Sequence, residues 1–390
     1  MPASTRACTP AAANRTSHRG KRLDTFAFII HPIDPKRDVS RKFPFLGRVL
    51  TERQIDFFST FFPPVYISEI NGITSQATGK EIKGWFIACP YTPRRMMELR
   101  ERTVYRKIIQ TGRFAEKLGA QILGLGAFTS VVGDAGLTIA GALDLPVTTG
   151  DSYTIAIAVQ AIREAARVMD IPLGEATAAV VGATGSIGRV CAELLADEVA
   201  ELILIGRREE ALAELREKMG NGTRARLRTS THVNDIAQAQ LILTVTSAVH
   251  EVVHPQDLQP GSVVCDVARP RDVSAMVAAV RNDILVIDGG MVDVPGPVDF
   301  HFNFGFPPGK AYACMAETIT LALEGRFEDY TLGKDISRQR VEEITALADK
   351  HGFRLSGFRS FEREVKQEHI ESVRQAARQA RRNHSVQERS

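Results

Sequence analysis

The chain has 390 residues and a net charge of +3 at pH 7. This length predicts two or three domains, with enough apolar residues to fill their cores. The near-neutral charge gives no indication of a nucleic-acid partner, and none is expected. No run of about 18 apolar residues occurs, so no transmembrane helix is expected. The five cysteines form no C-x-x-C pair and the nine histidines have no metal-ligand spacing, which disfavours metal sites and disulfides and favours the cytoplasm.

Residues 1–22 contain no acidic residue and are rich in Ala, Ser, Thr and Arg. That composition resembles a transit peptide, but the segment lacks the apolar core of a secretory signal. We interpret it as a disordered basic tail or as the result of a misassigned start codon.

Residues 23–168 are expected to form an N-terminal α/β domain that binds the substrate. A strand ending at Pro32 is followed by a helical region over 39–62, strands at 65–73 and 82–89, and a basic helix over 93–118. A glycine-rich segment at 123–136 precedes a further helix that starts near Tyr153.

Residues 169–307 are expected to form a Rossmann domain. Strands and helices alternate there, with apolar strands at 178–181, 202–205, 241–245, 263–267 and 285–288. This alternation predicts an α/β fold with a doubly wound parallel sheet. In such a sheet the ligand lies beyond the carboxyl ends of the strands. Thr246 and Ser247 follow one of these strands and are therefore predicted to bind the cofactor.

The turn after the first of these strands is rich in glycine, with a G-x-x-G-x-x-G spacing that departs from the strict G-x-G-x-x-G pattern. A strand, a glycine loop and a helix in this order present free backbone amides to an anion such as a pyrophosphate. The loop predicts cofactor contacts from Gly182, Ala183, Thr184, Gly185, Ser186, Ile187 and Gly188.

The second strand of this domain ends in Gly206, Arg207 and Arg208. An NAD site usually has an acidic residue there, whereas arginine suits the 2′-phosphate of NADP. We therefore predict that NADPH is the cofactor and that Arg207 and Arg208 bind it.

Residues 308–360 are expected to form a helical closing segment. Pro307 and Pro308 indicate a helix start, which would place Cys314 in the first two turns and Lys310 on the same face. The helix dipole and Lys310 would then lower the pKa of the thiol and make Cys314 a nucleophile. The alternative is an inert buried cysteine. Residues 361–390 are predicted to be a charged helical tail that becomes frayed and solvated from Arg378 onward.

Several segments, taken together, resemble the long-chain acyl–acyl-carrier-protein reductases of cyanobacteria and related bacteria. The matching residues are 37–40, 78–80, 125–130, 148–150, 180–185 and 313–317. The resemblance implies that Cys314 takes the acyl group as a thioester and that NADPH reduces it to a fatty aldehyde. It also implies acyl carrier protein or coenzyme A as the donor of the acyl group. The strand end at 265–272 is instead similar to the cofactor domains of glutamyl-tRNA reductase and shikimate dehydrogenase.

Two points stay open at this stage. The oxyanion donors could be amides at the start of the Cys314 helix or amides in the loop over 124–133. A cluster of basic residues could dock an acidic carrier or could be an ordinary solvated face: Arg94, Arg95, Arg100, Arg102, Arg106 and Lys107.

Two other functions compete with the reductase. A dehydrogenase of the shikimate type would need no cysteine but would need a Lys–Asp pair, and neither Lys80 nor Lys83 has an apparent partner. A nonenzymatic NADPH-binding regulator would keep the nucleotide loop and leave Cys314 inert.

Overall fold

The computed structural model describes residues 23–220, 222–248, 250–361 and 363–387, with side chains up to residue 382. The predictions for residues 1–22 lie outside this part of the chain. No helix in the described part is long and apolar enough to cross a bilayer.

The N-terminal sheet contains five strands in the order β2-β3-β1-β4-β5. They are β1 (Asp24–Ile30), β2 (Val65–Thr74), β3 (Glu81–Ala88), β4 (Leu123–Leu125) and β5 (Val147–Thr148). Only β2 runs antiparallel to its neighbour. Side chains of β1 alternate between the two faces, since Phe26 and Phe28 join one core cluster and Ala27 and Ile29 join the other.

The helices of this half are α1 (Pro35–Lys42), α2 (Pro44–Val49), α3 (Glu52–Ser59), α4 (Pro93–Glu98), α5 (Glu101–Leu118), α6 (Phe128–Val131), α7 (Leu137–Ala140) and α8 (Asp151–Val168). The helical region predicted over 39–62 is thus three short helices. Start signals divide it, because Pro44 occupies the first position of α2 and Thr51 forms a capping box with Gln54 at the start of α3. The basic helix is likewise divided in two, at Leu99 and Arg100.

The second sheet has six parallel strands in the order β11-β10-β9-β6-β7-β8. They are β6 (Thr177–Val181), β7 (Glu201–Ile205), β8 (Arg226–Ser230), β9 (Leu241–Thr244), β10 (Val263–Asp266) and β11 (Leu285–Asp288). Its helices are α9 (Ser186–Leu195), α10 (Glu209–Met219) and α11 (Ala275–Val280). The predicted Rossmann sheet is confirmed. The sequence missed β8, an edge strand without a single buried residue.

The C-terminal part adds short antiparallel strands to its helices. The strands are β12 (Met291–Asp293), β13 (Lys310–Tyr312), β14 (Arg354–Leu355), β15 (Phe358–Ser360) and β16 (Arg363–Val365). The helices are α12 (Ala313–Glu324), α13 (Arg338–His351) and α14 (Gln367–Gln387).

The expectation that the chain frays from Arg378 is wrong, because α14 continues to Gln387 and is held against the body of the protein. Ile370, Val373 and Ala377 are buried in the core. Arg381 donates a hydrogen bond of 2.7 Å to the carbonyl of Gly261. Charge therefore does not mark a solvated end here, since the arginines reach acceptors on the Rossmann domain.

Helix α8 links the two sheets and is buried on nearly all sides. It packs against α9, α12 and α13. Glu317 of α12 is fully buried and accepts hydrogen bonds from the hydroxyls of Thr148 and Thr331 and from the amide of Tyr153, the last at 2.8 Å. This network fixes the start of α12 to the end of β5 and the start of α8.

Candidate functional site

A cavity of about 1650 Å³ lies at the carboxyl ends of the parallel strands of both sheets. It brings Cys314 together with all the predicted cofactor residues except Ala183 and Gly188. Ala183 is fully buried in the core. A Cβ on Gly188 would lie 2.2 Å from the carbonyl oxygen of Gly182, so this glycine allows α9 to pack on the loop.

The glycine loop has the geometry of a phosphate cradle. Gly182 has φ +88°, and a Cβ there would lie 2.7 Å from the carbonyl oxygen of Val245. The amide of Arg189 makes the first helical bond of α9, to the carbonyl of Gly185, and no side chain caps this end. The preceding amides, Ser186 to Gly188, are therefore available to an anion, which fits the diphosphate of a dinucleotide.

Arg207 and Arg208 are exposed at the end of β7 and line the same cavity. Their position beside the glycine loop fits an adenosine 2′-phosphate. Ser247 also lines the cavity. The hydroxyl of Thr246 donates to the carboxylate of Asp272 and its amide bonds the other oxygen at 2.8 Å, so this side chain shapes the loop.

Cys314 is the second residue of α12, but the local structure before it differs from the prediction. Residues Lys310–Tyr312 form β13, which pairs with β12, and the helix begins only at Ala313. The Nζ atom of Lys310 lies 2.9 Å from Asp293. Lys310 is therefore not on the helix face of Cys314, because strand pairing outweighs the helix-start signal of the two prolines.

The predicted lowering of the thiol pKa is also wrong. Burial, and then the nearby carboxyl of Asp151, raise the pKa of Cys314 to about 12, although hydrogen bonds from the amides of Met315 and Ala127 act in the opposite direction. The thiol is thus protonated at neutral pH, and deprotonation requires a base.

The backbone around Cys314 is strained and closely fitted. Ala127 adopts φ +46° and ψ −122°, a backbone conformation that residues other than glycine rarely adopt. Gly150 has φ +80°, and a Cβ there would lie 2.4 Å from the Cα of Cys314. The close approach of Gly150 to Cys314 leaves no room for a side chain at position 150.

Two further polar residues of the cavity were missed by the sequence analysis, His31 and Asp151. The Nε2 atom of buried His31 accepts a hydrogen bond of 2.9 Å from the amide of Phe128, and burial lowers the pKa of His31 to about 4. The imidazole is therefore neutral with its proton on Nδ1, and a hydrogen bond with the backbone of Pro32 opposes the lowering of its pKa.

Asp151 begins α8, directly after the loop that follows β5. Burial and the neighbouring Glu317 raise the pKa of Asp151 to about 7. A signal for both residues was present in the sequence, since each follows a parallel strand at its carboxyl end, where ligands bind in such sheets.

The cavity continues under α1–α3 as an apolar arm. Most of its wall there consists of hydrocarbon side chains from α2, α3 and their flanking residues and from β1 and β2: Phe28, Ile30, Phe43, Leu46, Leu50, Ile55, Phe58, Phe62, Val65 and Ile67. Helix α1 adds the charged residues Arg37, Asp38, Arg41 and Lys42. The apolar part of this lining suits a long hydrocarbon chain.

The lysines considered for a dehydrogenase of the shikimate type have acidic partners, contrary to expectation. Lys80 lies 2.6 Å from Asp24, and Lys83 lies 2.6 Å from Glu69. None of these four residues lines the cavity, and the first pair lies at the amino ends of the strands. They act as structural ion pairs.

The chain is similar to several known proteins. The model of the family Shikimate / quinate 5-dehydrogenase matches residues 163–288. The chain is 31% identical over 336 residues to the long-chain acyl-[acyl-carrier-protein] reductase of Synechococcus elongatus, which covers 82% of this chain and 95% of that protein. The chain belongs to this reductase family.

Other similarities cover less or are more distant. The chain is 35% identical over 261 residues to the aminotransferase PigE of a Serratia species, spanning 65% of this chain and 30% of that protein. The solved structure of L-tryptophan dehydrogenase from Nostoc punctiforme is 12% identical, with 93% of this chain and 88% of that chain covered at a TM-score of 0.40.

The resemblance predicted from the sequence, to these reductases with a cofactor domain of the shikimate dehydrogenase type, is thereby confirmed. As a member of this family, the protein is an NAD(P)-dependent oxidoreductase whose Rossmann domain binds a nicotinamide cofactor. The described residues contain no group of three or more His, Cys, Asp or Glu side chains that could hold a metal ion.

Proposed function

We propose that the protein reduces long-chain fatty acyl thioesters to fatty aldehydes with NADPH, through an acyl-enzyme on Cys314. The observation that carries this proposal is the position of Cys314 in one continuous cavity, with an apolar arm on one side and the glycine loop on the other. An alcohol dehydrogenase would need no cysteine at this position.

In the first half-reaction, the Sγ atom of Cys314 attacks the carbonyl carbon of the acyl thioester. Asp151 takes the thiol proton, and the bond to the donor thiol breaks as the new thioester forms. The leaving thiolate recovers that proton. Because one thioester replaces another, this step is nearly isoenergetic, and its benefit is that the carbonyl becomes fixed in place.

Negative charge develops on the carbonyl oxygen during this step. The amides of Ala127 and Met315 are the backbone groups that lower the pKa of the Cys314 thiol, so they lie near the reacting centre and are the proposed oxyanion donors. The neutral imidazole of His31 also lines this cavity. The surrounding structure holds Ala127 in its strained conformation and thereby fixes the direction of its amide.

Bound NADPH supplies the hydride that reduces the thioester carbonyl. The amides of Ser186, Ile187 and Gly188 would hold its diphosphate, and Arg207 and Arg208 would hold its 2′-phosphate. When the aldehyde leaves, its carbon–sulfur bond to Cys314 breaks, and the sulfur recovers a proton that Asp151 takes up from solvent and passes on.

The acyl donor is proposed to be acyl carrier protein, with acyl coenzyme A as the alternative. Arg100, Arg102 and Arg106 are exposed at α5 and can meet an acidic carrier. Arg94 and Arg95 are less available, because both contact Glu98, at 2.9 and 3.2 Å.

The test is the mass of the intact protein after mixing with a long-chain acyl thioester in the absence of NADPH. We expect a mass increase of one acyl group on Cys314, and the release of aldehyde when NADPH is added. Aldehyde formation without any adduct under single-turnover conditions would overturn the proposal.

Replacing Asp151 with Asn tests its role as the proton acceptor. We expect the wild-type acylation rate to rise with pH through about 7, the pKa to which burial raises Asp151. The variant should lose this dependence and be about 100-fold slower. An exposed carboxylate outside the cavity, Asp144, provides the control through Asp144→Asn.

The heat stability of the Asp151→Asn variant distinguishes a role of Asp151 in proton transfer from a purely structural role. The pKa of Asp151 is higher in the folded chain than in the unfolded chain. This carboxyl therefore lowers the free energy of unfolding of the protein as the pH rises from about 4 to about 7. Asp151→Asn should therefore be more resistant to heat than the wild type at pH 8 while being slower. A variant that is both slower and less stable would argue against the proposed role.

A further inference from the structure

The helices α2 and α3 are apolar on two sides. Their inner side chains line the cavity, as described above. Their outer side carries the residues that we name the phenylalanine patch: Phe45, Val49, Phe57 and Phe61. None of these four lines the cavity, and Phe45 and Phe61 are 74% and 70% exposed. The rings of Phe57 and Phe61 lie 5.5 Å apart. Exposed apolar clusters of this kind mark interaction surfaces.

Positive charge surrounds this patch. Polar contacts attach α4 and α5 to the end of α3: Arg95 Nε donates to Thr60 Oγ1 at 2.9 Å, and Lys107 Nζ donates to the carbonyl of Phe62 at 2.8 Å. Residues 33–66 and 93–107 together contain twelve Lys or Arg and six Asp or Glu. Exposed arginines lie on both parts, with Arg48 and Arg53 on α2 and α3 themselves.

We propose that the phenylalanine patch and its basic surroundings dock the protein on an anionic lipid bilayer. The aromatic side chains enter the boundary between headgroups and acyl chains, and Arg48 and Arg53 meet the lipid phosphates. A second copy of the chain is a poorer occupant, because a symmetric contact would bring two surfaces of net positive charge together.

Docking in this way places α2 and α3 between the lipid and the apolar arm of the cavity, with no other element separating the two. A fatty aldehyde is poorly soluble in water and would pass from this arm to the bilayer. This use of the surface rests on the proposed function, whereas lipid binding itself does not.

The test is flotation of the full chain with phosphatidylcholine vesicles, with and without phosphatidylglycerol. We expect binding to the anionic vesicles that weakens with salt. The double variant Phe45→Ser/Phe61→Ser should lower the partition coefficient by about tenfold or more. Arg48→Glu/Arg53→Glu should remove the preference for anionic vesicles.

Matched controls make the result specific. Met276 and Val280 on α11 are equally apolar and more than half exposed, and Met276→Ser/Val280→Ser should float like the wild type. The Phe45→Ser/Phe61→Ser protein should keep wild-type turnover of a short-chain acyl thioester in solution, since neither side chain lines the cavity.

Three results would overturn the proposal. The first is a wild type that floats with neither vesicle type, and the second is a patch variant that floats as the wild type does. The third is light scattering that shows a wild-type dimer and a monomeric patch variant, which would assign the patch to a second copy. Flotation requires no turnover, so failure of the proposed reductase function would leave this test intact.

Discussion

Replacing Cys314 with Ala is expected to abolish the acyl-enzyme and to lower aldehyde formation by roughly 1,000-fold or more. The thioester that holds the carbonyl in the cavity cannot form without the sulfur, and the remaining amides and His31 cannot replace a covalent bond. Two measurements check this result: intact-protein mass with a long-chain acyl thioester, and NADPH-dependent aldehyde release under the same conditions.

Cys191→Ala is the matched control, because Cys191 is buried on α9 and does not line the cavity. It should acquire the acyl group and form aldehyde as the wild type does. Near-normal turnover of the Cys314→Ala protein would mean that hydride reaches a thioester that is still attached to its donor.

The double variant Arg207→Ala/Arg208→Ala is expected to raise the KM for NADPH by about 10- to 100-fold and to change the KM for NADH little. Charge-assisted hydrogen bonds from arginine to a phosphate contribute about 1.5–3 kcal/mol, and NADH has no phosphate at this position. Steady-state kinetics with both cofactors measures the ratio.

Arg216→Ala/Lys218→Ala removes the same charge from the exposed side of α10 without touching the cavity. That control should leave both KM values near those of the wild type. An equal weakening of NADPH and NADH binding by the Arg207/Arg208 change would show that these arginines act on the shared part of the cofactor.

The Rossmann half was predictable because its strands are continuous apolar runs separated by glycine turns, a local pattern. The edge strand β8 was not predicted because its residues are mostly polar and none of them is buried. Strands of two or three residues, such as β13, depend on partners far away in the chain, so the helix-start signal of Pro307 and Pro308 was misleading there.

The residues of the candidate site likewise fall into those that a local motif predicts and those that depend on distant parts of the chain. The glycine loop, Arg207, Arg208 and Cys314 were found because each belongs to a recognisable local motif. His31 and Asp151 each follow a strand at its carboxyl end, but their meeting in one cavity depends on α8 and α12, which bring the ends of two separate sheets together. The thiol pKa was misjudged for the same reason, since burial and a carboxyl from another element determine it.

The raised pKa of Cys314 also bears on how the enzyme survives between turnovers. Peroxides and alkylating agents react with thiolates far faster than with thiols. A sulfur that stays protonated until Asp151 takes its proton is therefore a poor target for such reagents. We therefore expect the setting that makes this cysteine need a base also to slow its oxidation while no acyl donor is bound.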